Sequence, residues 1–105
     1  MANKLTVVRN GTLCDVQISE HRGRYEIELV VADEKSEDYG FPYARASVQV
    51  AKELPKGHVG IKDYSENTGM LQLLIDNKIV GEPVGFIPSG FVRIPICPLL
   101  VEPNM

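Results

Sequence analysis

The side chains able to do chemistry in this chain are few. They are two histidines, His21 and His58, two cysteines, Cys14 and Cys97, and one dense run of carboxylates in Asp33-Glu34-Lys35-Ser36-Glu37-Asp38. Acid-base catalysis needs titratable groups that converge in a pocket, with a partner to orient them. His21 falls in a polar reversal and His58 at a strand entry, and no carboxylate or cysteine is spaced to meet either. Both read as surface histidines, and no catalytic residue is assigned. A metal site needs ligands at recognisable spacing, such as paired CxxC or HxxxH units, and the chain has neither. The acidic run lacks the alternating oxygen ligands, central glycine and terminal bidentate Glu of a calcium loop. No metal or cofactor is therefore expected. The chain also lacks a glycine-rich phosphate cradle, a G-x-S-x-G elbow and a Walker motif.

Recognition is the remaining chemistry of the acidic run. Clustered carboxylates on a loop steer association with a Lys/Arg patch. Tyr39, Phe41 and Tyr43 follow at once, and aromatics beside an acidic rim have the composition of an interface hot spot. The candidate partner-binding set is thus Asp33, Glu34, Glu37, Asp38, Tyr39, Phe41 and Tyr43. Two plainer readings stay open beside it: a solvated hairpin tip for the charges, and anchorage of the loop to the core for the aromatics.

The elements that must position this loop are mostly strands. Leu5 to Val8 is a short apolar strand, followed by Asn10-Gly11, the dipeptide best suited to a tight hairpin turn. Cys14, Val16 and Ile18 then alternate with Asp15, Gln17 and Ser19, and after the reversal Glu20 to Gly23 the pattern resumes in Tyr25, Ile27, Leu29 and Val31. Asp33 to Pro42 is a loop. Ala44, Ala46, Val48 and Val50 predict a fourth strand, and His58 to Lys62 a short fifth, with Val59 and Ile61 inward.

One amphipathic helix follows. Asp63 and Glu66 have the spacing of a capping box, with Ser65 as the alternative cap. Met70, Leu71, Leu74 and Ile75 form the apolar stripe, while Glu66, Asn67, Gln72 and Asp76 are expected to face water. Gly69 sits uneasily in a helix interior and predicts close packing or a frayed first turn. Asn77-Lys78 reads as the helix end. Gly81, Pro83, Gly85 and Pro88 predict a stiff irregular connection, and Ser89 to Cys97 a last strand whose Pro95 confines it to an edge or ends it early.

The expected fold is α+β: one mostly antiparallel sheet of about five to six strands, with one helix on one face. Its opposite face would carry Asp15, Gln17, Glu26, Glu28, Arg45, Ser47, Gln49 and Arg93, and the assembly would leave no cleft. The 105 residues suffice for a single domain over 1–105, with residues 98–105 an extended tail. Cys14 and Cys97 lie far apart among apolar neighbours and are expected to be reduced and buried.

A composition of 44% apolar and 24% charged residues is that of a folded chain. The net charge of −3 argues against direct binding of nucleic acid, where Lys and Arg must displace counterions. No apolar run approaches the roughly 18 residues that span a bilayer, and MANKLTVVRN lacks the features of a secretory leader. A cytoplasmic protein with no membrane contact is expected.

The stretch Lys62 to Met70, KDYSENTGM, together with Pro88 to Cys97, PSGFVRIPIC, resembles the signature of a family of short proteins carried on bacterial mobile elements and phages. In that family a β-meander leads to a D-Y-S-E-N-x-G-M helix start and later to an S-G-F-V strand. The likeness covers roughly residues 5 to 98, and neither the acidic loop nor the tail belongs to it. It implies a setting rather than a reaction: an anti-CRISPR or other anti-defence protein in the host cytoplasm. Such a protein would occupy a basic or nucleic-acid-binding surface on a host protein such as a CRISPR effector. The alternative is a self-associating structural or regulatory module, a homodimer joined through the edge of the final strand or through Leu99-Leu100-Val101.

Overall fold

Alternating apolar positions and tight turns produce the expected meander at the start of the chain. In the computed structural model, which describes residues 5–105, β1 (Thr6–Arg9), β2 (Thr12–His21), β3 (Arg24–Val31) and β4 (Pro42–Arg45) form an antiparallel sheet in the order β1-β2-β3-β4. The first four residues of the N-terminal stretch read for a secretory leader lie outside the described residues. Asn10 and Gly11 adopt φ 51° and 80°, the paired left-handed conformations whose twist matches a two-residue hairpin. Arg22 and Gly23 repeat the device at the β2–β3 turn, with φ 54° and 79°. Cys14 pairs with Val31, Val16 with Leu29 and Ile18 with Ile27, so all six fall on one buried face.

After Arg45 the chain leaves this sheet, and the fold departs from expectation. The predicted strand through Val50 stops because Ser47 turns inward. Its Oγ accepts the Ile27 N–H at 2.9 Å, its own N–H shares the Ile27 carbonyl with that of Ala46 at 3.3 and 2.9 Å, and beyond that it makes an isolated bridge to Ile61. Alternation reports which residues share a face and carries no mark of where pairing ends. Ser47 is therefore buried rather than on the polar face, and Gln49 and Arg93 are not on the outer face of this sheet either: Gln49 lies beyond β4 and Arg93 in another sheet.

That second sheet contains β5 (His58–Gly60), β6 (Gly85–Ser89) and β7 (Val92–Pro98), antiparallel in the order β5-β7-β6. Two sheets of four and three strands thus replace the single sheet of five to six, within an α+β fold. β6 occupies the segment expected to be irregular; as an edge strand it accommodates Pro88. β7 is central instead of an edge. Its Pro95 is tolerated because the β5 ladder ends at Gly60 paired with Ile96; one residue on, the Pro95 carbonyl accepts the Ile61 N–H at 3.0 Å and returns no donor.

The helix is shorter than its pattern. A 3-10 turn over Ser65–Asn67 precedes α1 (Met70–Asp76). Asp63 does not close a capping box. Its Oδ1 accepts the N–H groups of Gly69 (3.1 Å) and Leu71 (2.9 Å) across the intervening loop, and Gly69 takes φ 96° as the N-cap. Glu66 pairs with Lys62 at 2.6 Å, a contact that raises the Lys62 pKa and lowers that of Glu66. Asn67, expected to face water, is buried and donates to the Arg45 carbonyl at 2.6 Å. At the helix end the left-handed residue is Lys78, φ 59°, rather than Asn77.

Met70 and Leu74 join Val7, Val16, Leu29, Ile61, Ile79 and Cys97 in the main core, while Val50, Ile94 and Ile96 form a smaller cluster. The tail is docked on β2. Asn104 Oδ1 accepts the Ile18 N–H at 2.7 Å, and its Nδ2 donates to the Val16 carbonyl at 2.9 Å. These groups lie on β2 beyond its strand pairing with β1, so the tail covers an edge that would otherwise stand open. The radius of gyration, 13.4 Å, is close to the roughly 13 Å of a compact 100-residue unit. No helix among the described residues is long and apolar enough to cross a membrane.

Candidate functional site

The loop between β3 and β4 is a chain of locked turns. Asp33 Oδ1 accepts the Lys35 N–H at 3.0 Å, the Asp33 carbonyl accepts the Ser36 N–H at 2.9 Å, and Ser36 Oγ accepts the Asp38 N–H at 3.1 Å. The Asp38 carbonyl then accepts the Phe41 N–H at 2.9 Å. At the loop base Val31 accepts from Gly40 and donates to Phe41, at 2.9 and 3.0 Å. Asx and Ser turns of this kind give short polar segments a defined backbone without a strand partner. The loop backbone is therefore held in a defined conformation.

Asp33, Glu34, Glu37 and Asp38 are all exposed, and none is ion-paired among the described residues. Tyr39 and Phe41 keep 48% and 62% of their surface exposed beside these carboxylates. Tyr43 behaves differently. It sits on β4, half-buried against the core, and its hydroxyl donates to the Arg9 carbonyl at 3.3 Å. The structure thus gathers six of the seven candidates on one convex loop and gives Tyr43 the anchoring place.

At the other end of β3 lies a region the sequence did not disclose. The segment that leaves the first sheet at Arg45 and returns as β5 bounds a cleft of about 420 Å³ over the β2–β3 turn. Arg22, Arg24, Lys56, His58 and Glu53 line it, with Val59 among its apolar residues. The expectation that the fold leaves no cleft is corrected here, because the predicted fourth strand ends at Arg45 and its remainder is an excursion around a concavity. Arg24 Nη1 donates to the Val50 carbonyl (2.9 Å) and to Gln49 Oε1 (3.3 Å), while Gln49 Nε2 donates to the Tyr25 carbonyl (3.3 Å). His58 Nδ1 lies 2.9 Å from the Lys56 carbonyl. A carbonyl only accepts, so Nδ1 carries the hydrogen and Nε2 is the open ring atom. His21 remains exposed at the end of β2.

The residues of the Lys62 to Met70 stretch have local structural tasks. Asp63 ties down Gly69 and Leu71, Ser65 holds Thr68 through its carbonyl, Asn67 fastens the turn to Arg45, and Met70 fills the core. The second motif forms the β6–β7 hairpin, and Phe91, expected inside a strand, stands fully exposed at its two-residue tip. Phe86 on β6 is half exposed, with the Arg93 guanidinium 4.8 Å from its ring centre. Ser89 pairs with Val92 across Gly90-Phe91, and the Ser89-Gly90 dipeptide is the sequence signal that would have marked this turn.

Both cysteines are free and buried. Burial pushes the Cys97 thiol up to about 11, with Glu82 and Asp63 adding to the effect, and raises Cys14 as well. The thiolate, the form that attacks or ligates, is disfavoured at both. Among the described residues no three His, Cys, Asp or Glu side chains are grouped to hold a metal ion. Compared with family models, curated proteins and solved structures, the chain gives no match.

Proposed function

We propose that this protein is a non-enzymatic binding protein that docks its acidic loop on the basic surface of a larger protein. The observation that carries this reading is the pairing of Tyr39 and Phe41, exposed aromatics, with four exposed carboxylates on a loop whose backbone is already locked. A preorganised loop loses little conformational entropy on binding, which is where flexible loops lose affinity. The carboxylates accelerate encounter with a basic patch, and the aromatics supply the desolvated contact that slows dissociation. In the setting that the motif resemblance implies, the partner is a host defence protein, such as a CRISPR effector, whose nucleic-acid-binding surface is basic. An acidic protein seated there blocks it by competition without touching nucleic acid.

The test is a pull-down with the wild-type chain and two loop variants. Reversing Glu34, Glu37 and Asp38 to Lys should abolish recovery of a basic partner, and Tyr39→Ala with Phe41→Ala should weaken it by about thirtyfold or more, the scale of a hot-spot truncation. Full retention by both variants would refute the reading.

A second reading rests on a different surface. β6 is the edge of the three-stranded sheet, and Val84, Phe86 and Phe91 are exposed on or beside it. Pairing of two copies along β6 would make a homodimer. Light scattering decides this, and a monomer at high concentration removes it. The final strand itself is central and offers no edge.

A further inference from the structure

We infer that the cleft over the β2–β3 turn binds a small organic anion, of the phosphomonoester class, through Arg22, Arg24 and Lys56. This site is separate from the acidic loop and does not depend on the partner-binding reading. Three cations and one carboxylate, Glu53, line the cleft, so a chain of net charge −3 concentrates positive charge in one concavity. A cleft lined by one sign of charge focuses the field on an anion in a way that the same charges spread over a convex surface do not. The surplus of two charges matches a dianionic head group. Val48, Leu54 and Val59 give the cleft an apolar side for the body of the ligand, as small-molecule sites require.

Two features set the two arginines apart from ordinary surface cations. Both Nη1 hydrogens of Arg24 are committed to Val50 and Gln49, which fixes the plane of the guanidinium and leaves Nη2 and Nε as donors. A planar donor fork of this kind suits phosphate oxygens. Arg22 occupies a left-handed position, φ 54°, in a turn where Asn or Gly is the relaxed choice. A long cation at that position places a positive group on the rim at a conformational cost that a plain hairpin would avoid. His58, oriented by Lys56 through Nδ1, adds a ring edge on the β5 side.

The volume of about 420 Å³ lies within the range of small-molecule pockets and is far too small for a folded partner. The mononucleotide AMP and inorganic phosphate are the two probes, since AMP joins head and body while phosphate supplies the head alone. Amide resonances of the ¹⁵N-labelled protein are followed during titration at constant ionic strength. AMP should give saturable shifts confined to Arg22–Tyr25 and Gly57–Val59, with phosphate shifting the same amides more weakly. The double variant Arg22→Gln, Lys56→Gln alters two exposed turn residues, and it should weaken AMP binding at least tenfold. Glu53→Gln, which removes the opposing charge, should tighten phosphate severalfold. The inference is overturned by any of three results: no saturable shift up to about 10 mM AMP, tenfold beyond a millimolar Kd; shifts that the double variant leaves unchanged; or the same shifts from added sodium chloride alone. Weakened phosphate binding in Glu53→Gln would also count against it.

Discussion

The two ends of β3 carry opposite solutions to the problem of displaying charge. At its C-terminal end the chain runs into a convex loop of carboxylates and two exposed aromatics, locked by hydrogen bonds within the loop itself. At its N-terminal end Arg22 and Arg24 meet Lys56 and His58 around a concavity, drawn from segments that are distant in sequence. Convex charge with exposed rings suits a broad protein surface, whereas concave charge over apolar walls suits a small molecule. The strand between them, buried through Ile27 and Leu29, holds the two apart in one rigid frame.

Leu29→Ala should disrupt both ends at once. Leu29 is fully buried in the middle of β3, and its truncation should lower stability by about 2–5 kcal/mol, measured by urea unfolding. Both regions should be lost in a single transition, because both hang from this strand. Survival of one set of site resonances after the other has vanished would show that the two ends fold separately.

Ser47→Ala should strike one end and spare the other. It leaves the buried Ile27 N–H without its acceptor and should cost about 1–3 kcal/mol. Amide exchange should accelerate at Ile27 and across 48–50, on the cleft side, while the amides of 35–41 hold their protection.

A smaller effect comes from pH and acts through the core, at Cys97 on β7. Burial raises the Cys97 thiol to about 11 from an ordinary value of 9.0. The folded chain thus keeps a proton that the unfolded chain releases, so this contribution is intact below pH 9 and is lost as pH climbs toward 11. Urea midpoints at pH 8, 9.5 and 11 should fall in that order, and Cys97→Ala should flatten the decline.

Least of all, Tyr39→Ala and Phe41→Ala should each change stability by under about 0.5 kcal/mol, since both rings lie largely in solvent. Tyr43→Phe, which deletes the hydroxyl bonded to Arg9, should cost about 1 kcal/mol, separating the anchor from the display residues.

The unequal legibility of the two ends has a physical cause. Asp33 to Phe41 is contiguous, so its charge, its rings and its turn-forming Asp and Ser residues are visible together in the sequence. The paired turn Asn10-Gly11 and the buried face of β2 and β3 are legible for the same reason, being set by neighbours. The cleft depends on where the chain stops pairing after Arg45, and that is decided by Ser47 reaching Ile27 across twenty residues. Asp63 carries the right chemistry in the sequence, a capping carboxylate, but serves N–H groups six and eight residues ahead instead of its immediate neighbours. β6 was obscured because Pro83, Gly85 and Pro88 weaken local strand preference, which the ladder with β7 overrides.

The central claim is that the acidic loop is the surface that meets another protein. Its most direct test installs a photo-crosslinking phenylalanine analogue at position 41 in one sample and at position 91 in another, with crosslinking performed in cells of the producing host. The account predicts an adduct from position 41 to a basic protein, its yield falling as Glu34, Glu37 and Asp38 are reversed to Lys, and no such adduct from position 91. Adducts from position 91 alone, or a yield from position 41 indifferent to the charge of the loop, would contradict it.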